Sequence, residues 1–260
     1  MNTTSQSRFA LLATAVLTPL LVVTLVAWAI AVDQMRGMDA GPGTDLGAFP
    51  WFAGIWLTMT VAMMLPSAVP TTLMFSRLGR GWETAPFVGG YLLAWAAFGV
   101  AAYVVSRGAR ELAPSFVAWD ERGPWVAGAA LAAAGLYQLT PLKTSCLRHC
   151  RSPLHFLIRR RSGRLAAMRA GLGHGGYCIG CCAGLMLALF ALGIMSVFWM
   201  AVAAAAILVE KTLPGGEVFA RMLAVVLVAL GTWIALSPGS VPGLQQPDQT
   251  QTPMQMGMQP

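Results

Sequence analysis

A chain of 260 residues that is 57% hydrophobic and only 10% charged, with a mean hydropathy of +0.65, lies outside the range of a soluble globular domain. The composition predicts an all-α fold, a polytopic transmembrane helical bundle whose main partner is the lipid bilayer. The net charge of +7 is accounted for by topology and anionic lipid, so it calls for no nucleic-acid partner, and no nucleic-acid-binding module is recognisable.

About seven apolar runs are long enough, or nearly so, to cross about 30 Å of hydrocarbon. They are residues 9–32, 51–75, 87–106, 125–139, 177–194, 197–213 and 218–236, of which the fourth and sixth are short. The first is read as a retained span. A cleaved signal peptide ending at Ala29-Ile-Ala31 is the alternative, disfavoured because the run outlasts a signal h-region and only Arg8 precedes it. The second run carries Met59, Met63 and Met64, followed by Pro66 and Pro70. Thioethers are soft ligands for Cu(I), but methionine is also the usual filler of apolar gaps, and spacing alone favours packing; these three are the weaker metal candidates. The prolines predict a helix that kinks or opens and frees backbone carbonyls.

Between the fourth and fifth runs lies a basic loop, residues 142–176. After Pro141, the spacing of Cys146, His149 and Cys150 puts all three on one side of a short helix. Arg159, Arg160 and Arg161, and the basic residues up to Arg169, predict a helix lying at lipid headgroups. His155 has no companion ligand and reads as incidental. At the loop's end, His174, Cys178 and Cys181 fall within about 60° of one another on a helix, with Cys182 a further step round. All five cysteines of the chain lie between Cys146 and Cys182. The metal candidates are therefore Cys146, His149, Cys150, His174, Cys178, Cys181 and Cys182. Thiolate and imidazole suit copper, as Cu(I), with zinc as the alternative. Buried small hydrophobes are the competing reading of the cysteines, and Cys178-x-x-Cys181 is also the spacing of a redox pair.

The sixth run ends in Glu210-Lys211. This reads either as an interfacial ion pair with a snorkelling lysine, or as an inward Glu210 that is a further candidate ligand or proton acceptor. Residues 1–237 form one transmembrane helical domain. Residues 238–260 form a disordered Pro/Gln/Met-rich tail with Met254, Met256 and Met258.

Threading seven spans places Arg8, Arg77, Arg80, Lys143, Arg148, Arg151, Arg159 to Arg161, Arg164, Arg169, Lys211 and Arg221 on one side. The other side keeps Arg36, Arg107, Arg110 and Arg122 with most of the acids. Positively charged loops stay in the cytoplasm, so the basic Cys/His loop is expected there and the tail outside. A reducing cytoplasmic face and an odd cysteine count disfavour a disulfide framework.

Four blocks together carry a resemblance: Trp56-x2-Met59-x3-Met63-Met64-Leu-Pro66, Gly89-Gly-Tyr91-Leu-Leu-x-Trp95, Tyr137-Gln-Leu-Thr-Pro141-Leu-Lys143-x2-Cys146-Leu-Arg-His149-Cys150-Arg-Ser-Pro153, and His174-Gly-x-Tyr177-Cys178-x-Gly180-Cys181-Cys182. Over about residues 50–215 the chain resembles the bacterial family of predicted metal-binding integral membrane proteins of unassigned function. The resemblance implies a multi-pass protein and metal binding, and brings no reaction with it. The first run and the methionine tail lie outside it.

The leading expectation is a protein of the bacterial inner membrane that handles a soft metal, most readily copper, in delivery, storage or sensing, with a copper-carrying protein as a partner. Two alternatives belong to other classes. One is a copper-dependent membrane oxidase or oxygenase acting on a lipophilic substrate, which would need an open coordination position. The other is a thiol-disulfide membrane oxidoreductase built on Cys178 and Cys181.

Overall fold

The structure, a computed structural model, describes residues 3–36, 46–78, 81–112, 122–152, 162–193, 196–237 and 239. His155, Arg159 to Arg161 and nearly all of the tail lie outside the described residues. Within them the chain forms α1 (Thr3–Met35), α2 (Phe49–Leu78), a 3-10 turn (Gly81–Glu83), α3 (Thr84–Leu112), α4 (Gly123–Gln138), α5 (Pro141–Arg151), α6 (Arg164–Leu192), α7 (Val197–Thr212) and α8 (Gly216–Leu236). No strand occurs among the described residues.

Among the described residues, five helical stretches are long and apolar enough to cross a membrane: Thr14–Met35, Phe49–Arg77, Gly81–Leu112, Arg164–Leu192 and Gly216–Leu236. α4 and α7 have 16 residues each, short of the about 20 that a perpendicular crossing needs. The expected seven runs are thus all helical, and five of them reach spanning length. Outward faces stay apolar, with Leu25, Val105 and Val225 all more than half exposed.

Two helix pairs are set by glycine. At Gly90 and Gly171 a Cβ would collide with backbone of the facing helix, Met168 and Phe87 respectively, and at Gly175 it would lie 2.6 Å from Ala94 Cβ. The bare backbones of α3 and α6 therefore touch, which small residues alone permit. Residue numbers rise together across this contact, so the two helices run parallel. α4 and α8 meet through Gly128 and Gly231, where a Cβ would lie 2.5 Å and 2.6 Å from the partner's carbonyl oxygen, and through Gly135 against Ala224. There the numbers run oppositely, and the pair is antiparallel.

α6 starts at Arg164, well before the fifth apolar run at Tyr177. The basic stretch 164–169 is therefore the first turns of this long helix and not a separate surface helix. Its polarity hides the reason. Ala167 is buried against Phe75 and Phe87, and Gly171 and Gly175 carry the α3 contact, so small residues bury a face that hydropathy does not register.

α2 continues through both of its prolines. Pro66 has no N–H to offer the carbonyl four residues earlier, that of Ala62. The Trp28 indole of α1 donates to the Ala62 oxygen instead, at 3.0 Å. The predicted opening is thereby closed by a side chain from the neighbouring helix.

α5 begins where Pro141 occupies the first helical turn and the Thr140 hydroxyl accepts from the Lys143 N–H, the N-terminal signals of a helix. It buries Lys143, Cys146, Leu147 and Cys150, a single stripe at helical spacing. Arg148 pairs with Glu217 at 2.7 Å and Arg151 donates to the Leu213 carbonyl at 2.6 Å, tying α5 to the start of α8 and to the end of α7.

The glycine contact between α3 and α6 predicts a sharp contrast. Gly171→Ala should destabilise the protein by about 1–3 kcal/mol, the usual range for overpacking. Gly176→Ala should not, because nothing lies within 4 Å of a Cβ at that position. Thermal unfolding of both variants in detergent, followed by circular dichroism, checks this; equal stability of the two would remove the close-contact account.

Candidate metal centre

The buried stripe of α5 faces α6, and the cysteines of the two helices meet. Cys181 Sγ lies 3.7 Å from Cys150 Sγ and 3.6 Å from Cys182 Sγ. Two sulfurs bound tetrahedrally to one ion at about 2.3 Å stand about 3.8 Å apart. The sulfur spacing matches that of ligands sharing an ion. All five cysteines are buried free thiols.

Cys178 belongs to the same cluster but is held differently. Its sulfur is 3.1 Å from the Tyr91 hydroxyl and 2.9 Å from the Lys211 ammonium, which also donates to Ser67 Oγ at 3.1 Å. Side chains from α3 and α7 thus converge on one sulfur of α6, and α2 supplies the hydroxyl that shares the lysine. Cys146 packs against Gly180, where a Cβ would lie 2.6 Å from its sulfur. The Gly180 carbonyl accepts from the Tyr137 hydroxyl at 2.5 Å. Burial holds the Cys146 thiol above its ordinary value. The Cys178 sulfur beside it, and then burial, hold the Cys150 thiol well above its own.

The histidines divide. His174 is buried one turn before Cys178, its ring beside Phe87 and Tyr91, and its Nδ1 has no hydrogen-bond partner. His149 stacks on Tyr177 with ring centroids 4.5 Å apart, and its Nδ1 is 2.8 Å from the Ser145 carbonyl oxygen. Its place is at the edge of α5, away from the sulfur contacts of Cys146 and Cys150. Met59, Met63 and Met64 are buried in the same core. Among the described residues, no three His, Cys, Asp or Glu side chains stand in the arrangement of an assembled metal site. What is built is a cluster of sulfurs, with a lysine at one of them.

Glu210 and Lys211 do not pair with each other. Consecutive residues on a helix point about 100° apart, and each acid or base of this couple finds another partner. Glu210 is 1% exposed, its carboxylate 2.7 Å from the Lys143 ammonium and accepting from Gln138 at 3.3 Å. Lys211 turns to Cys178 and does not snorkel outward. The carboxylate that the sequence offers as a ligand is thus neutralised by an ammonium from α5. Lys211 and Tyr91 carry no metal-ligating signal in sequence, and only the fold brings them to the sulfur.

A helical protein with a cluster of thiols closed between two of its helices is the class that fold and site define. A family model described as PpoB2, a copper chaperone, matches residues 53–234. The chain belongs to this family. The match covers more than half of the chain and includes every cysteine, so the metal-related family expected from the motifs is met in that sense. No curated protein and no solved structure matches the chain.

The buried Lys143–Glu210 pair yields a second prediction. Glu210→Leu alone leaves a buried ammonium uncompensated and should cost about 3–5 kcal/mol, whereas Glu210→Leu with Lys143→Met removes both charges and should recover most of that loss. A double-mutant cycle on detergent-solubilised protein measures it; additive losses would show that the pair is not coupled.

Proposed function

We propose that this chain is a membrane-embedded copper chaperone that carries Cu(I) as cargo on the cysteines joining α5 to α6. The observation that carries the proposal is the position of the Cys181 sulfur, between those of Cys150 and Cys182. Cys150 and Cys181 come from separate sequence motifs, and a shared ion draws the two helices together because it binds only the folded arrangement. Thiolates favour Cu(I) over hard ions. Copper is preferred over zinc because of the family's description.

Cys178 is the third or fourth donor of this reading. An incoming cation and the Lys211 ammonium repel each other, so loading displaces the ammonium from the Cys178 sulfur towards Ser67, which already accepts from it. Cys146 and His174 lie next outward, as later or transient ligands. His149 is left outside the set because its ring is stacked on Tyr177.

The membrane part of the proposal has seven helices crossing the bacterial inner membrane, the basic Cys/His loop in the cytoplasm and a copper-carrying protein as partner. The helix directions support it. α3 and α6 run parallel, α4 runs opposite to α8, and α4 also runs opposite to α6, where Gly184 meets Ala134 and Tyr137 and the earlier Gly180 meets the later Tyr137. Alternate spans of a seven-pass chain have these relations. The short α4 and α7 are reconciled with a bilayer by local thinning or by the longer helices around them.

Two outcomes test the proposal. Full-length protein in detergent, loaded with Cu(I) under reducing conditions, should retain copper against a competing chelator. Cys150→Ser and Cys181→Ser should each weaken retention by more than about tenfold, and His149→Ala should leave it unchanged. Full retention by Cys181→Ser would overturn the site. Separately, a reporter fused at Arg160 should be cytoplasmic, and an external reporter there would reverse the orientation.

A further inference from the structure

Beyond the cysteine cluster, α6 continues its soft side chains at every fourth position: His174, Cys178, Cys182 and Met186. Each step advances about 6 Å along the helix, and all four side chains are buried. Met186 opens onto a small, almost wholly apolar cavity between α2, α3 and α6, whose walls also include Met59, Met63, Met64, Trp56 and Trp95. The cavity adjoins the thiol cluster through one group. The Tyr91 hydroxyl that touches Cys178 also donates to the Met64 carbonyl, at 3.3 Å.

Packing alone would give a methionine-filled core here, since flexible thioethers close gaps. Four methionines from two helices instead leave a gap of about 10 Å³ between them, no larger than a single water-sized sphere and enough for one ion.

We propose that this methionine-lined cavity is a second Cu(I) site, one step along α6 from the cysteine cluster. The identity of the ion rests on the copper reading above. Thioethers suit a soft monovalent ion. All these donors are neutral, so a bound ion keeps its full charge. Burying a charge costs in proportion to its square, which makes Cu(I) or Ag(I) roughly fourfold cheaper to hold than Zn(II) with the same donors. The cavity therefore selects by charge as well as softness, whereas anionic thiolates accept Zn(II) too. No bond is made or broken in passing between the sites except ion–sulfur bonds, and the ion remains Cu(I).

The test uses the full-length protein in detergent, titrated with Cu(I) or Ag(I) against a calibrated chelator, and the triple variant Met59→Leu, Met63→Leu and Met186→Leu, which conserves side-chain volume. Wild type should bind one equivalent more than the triple variant and one more than Cys150→Ser with Cys181→Ser. Selenomethionine-labelled wild type should show copper–selenium scattering in X-ray absorption. The label keeps the native fold, and that signal should fall in the triple variant by the cavity's share. An unchanged count and unchanged scattering in the triple variant, with the cysteine variant losing an equivalent, would overturn the second site and leave the cysteine site standing. Loss in the triple variant alone would do the reverse. No loss in either would overturn both. Zn(II) competing fully for the extra equivalent would also overturn the selectivity argued here.

Discussion

The contact of α3 with α6 at Gly90, Gly171 and Gly175 governs where everything else falls. It brings two parallel helix axes as near as backbones allow, and the next turn of α6 carries Cys178 directly to the Tyr91 hydroxyl. A larger residue at any of the three glycines would lift the sulfur away from α3 and from the lysine that approaches from α7. The opposite face of the same turn receives α5, so one helix is clamped from both sides over little more than its middle third. The placement of Cys178 against α3 is a consequence of this backbone approach. The thiols did not have to recruit one another.

The ionisable groups follow a consistent rule. An apolar interior tolerates charge only when it is neutralised close by, and each buried lysine here has a specific partner. Lys143 reaches Glu210 and Lys211 reaches a sulfur and a hydroxyl. Two adjacent residues of α7 thereby serve different layers of the protein, one bracing α5 and the other reaching the thiols. A change at α5 is thus one residue of α7 away from the thiol cluster.

Much of this arrangement was legible in the sequence, and the exceptions have a common physical origin. Helical periodicity identified the buried Cys146 and Cys150 of α5 and the shared face of His174, Cys178 and Cys181. Pro141 marked where α5 begins, and the Thr140 cap emerged only in the structure. Periodicity could not separate His149 from the cysteines, because the ring of Tyr177 on another helix decides its position. The early start of α6 was hidden because glycine and alanine bury a face without raising hydropathy. The inward turn of Lys211 depends on Ser67 and Cys178, residues far from it in sequence that only tertiary packing assembles. Local rules thus gave the elements and their faces, and the missing information lay in which backbones can touch.

The bond from Trp28 to the Ala62 carbonyl has a bearing on the limits of the functional unit. Ala62 lies inside the region shared with the copper chaperone family and Trp28 lies before it. The shared region on its own would carry a proline-made break with a bare carbonyl in a membrane-length apolar helix. α1 supplies the donor from outside, so this helix works as a built-in splint for α2, and a support of the shared region comes from before the family's boundary.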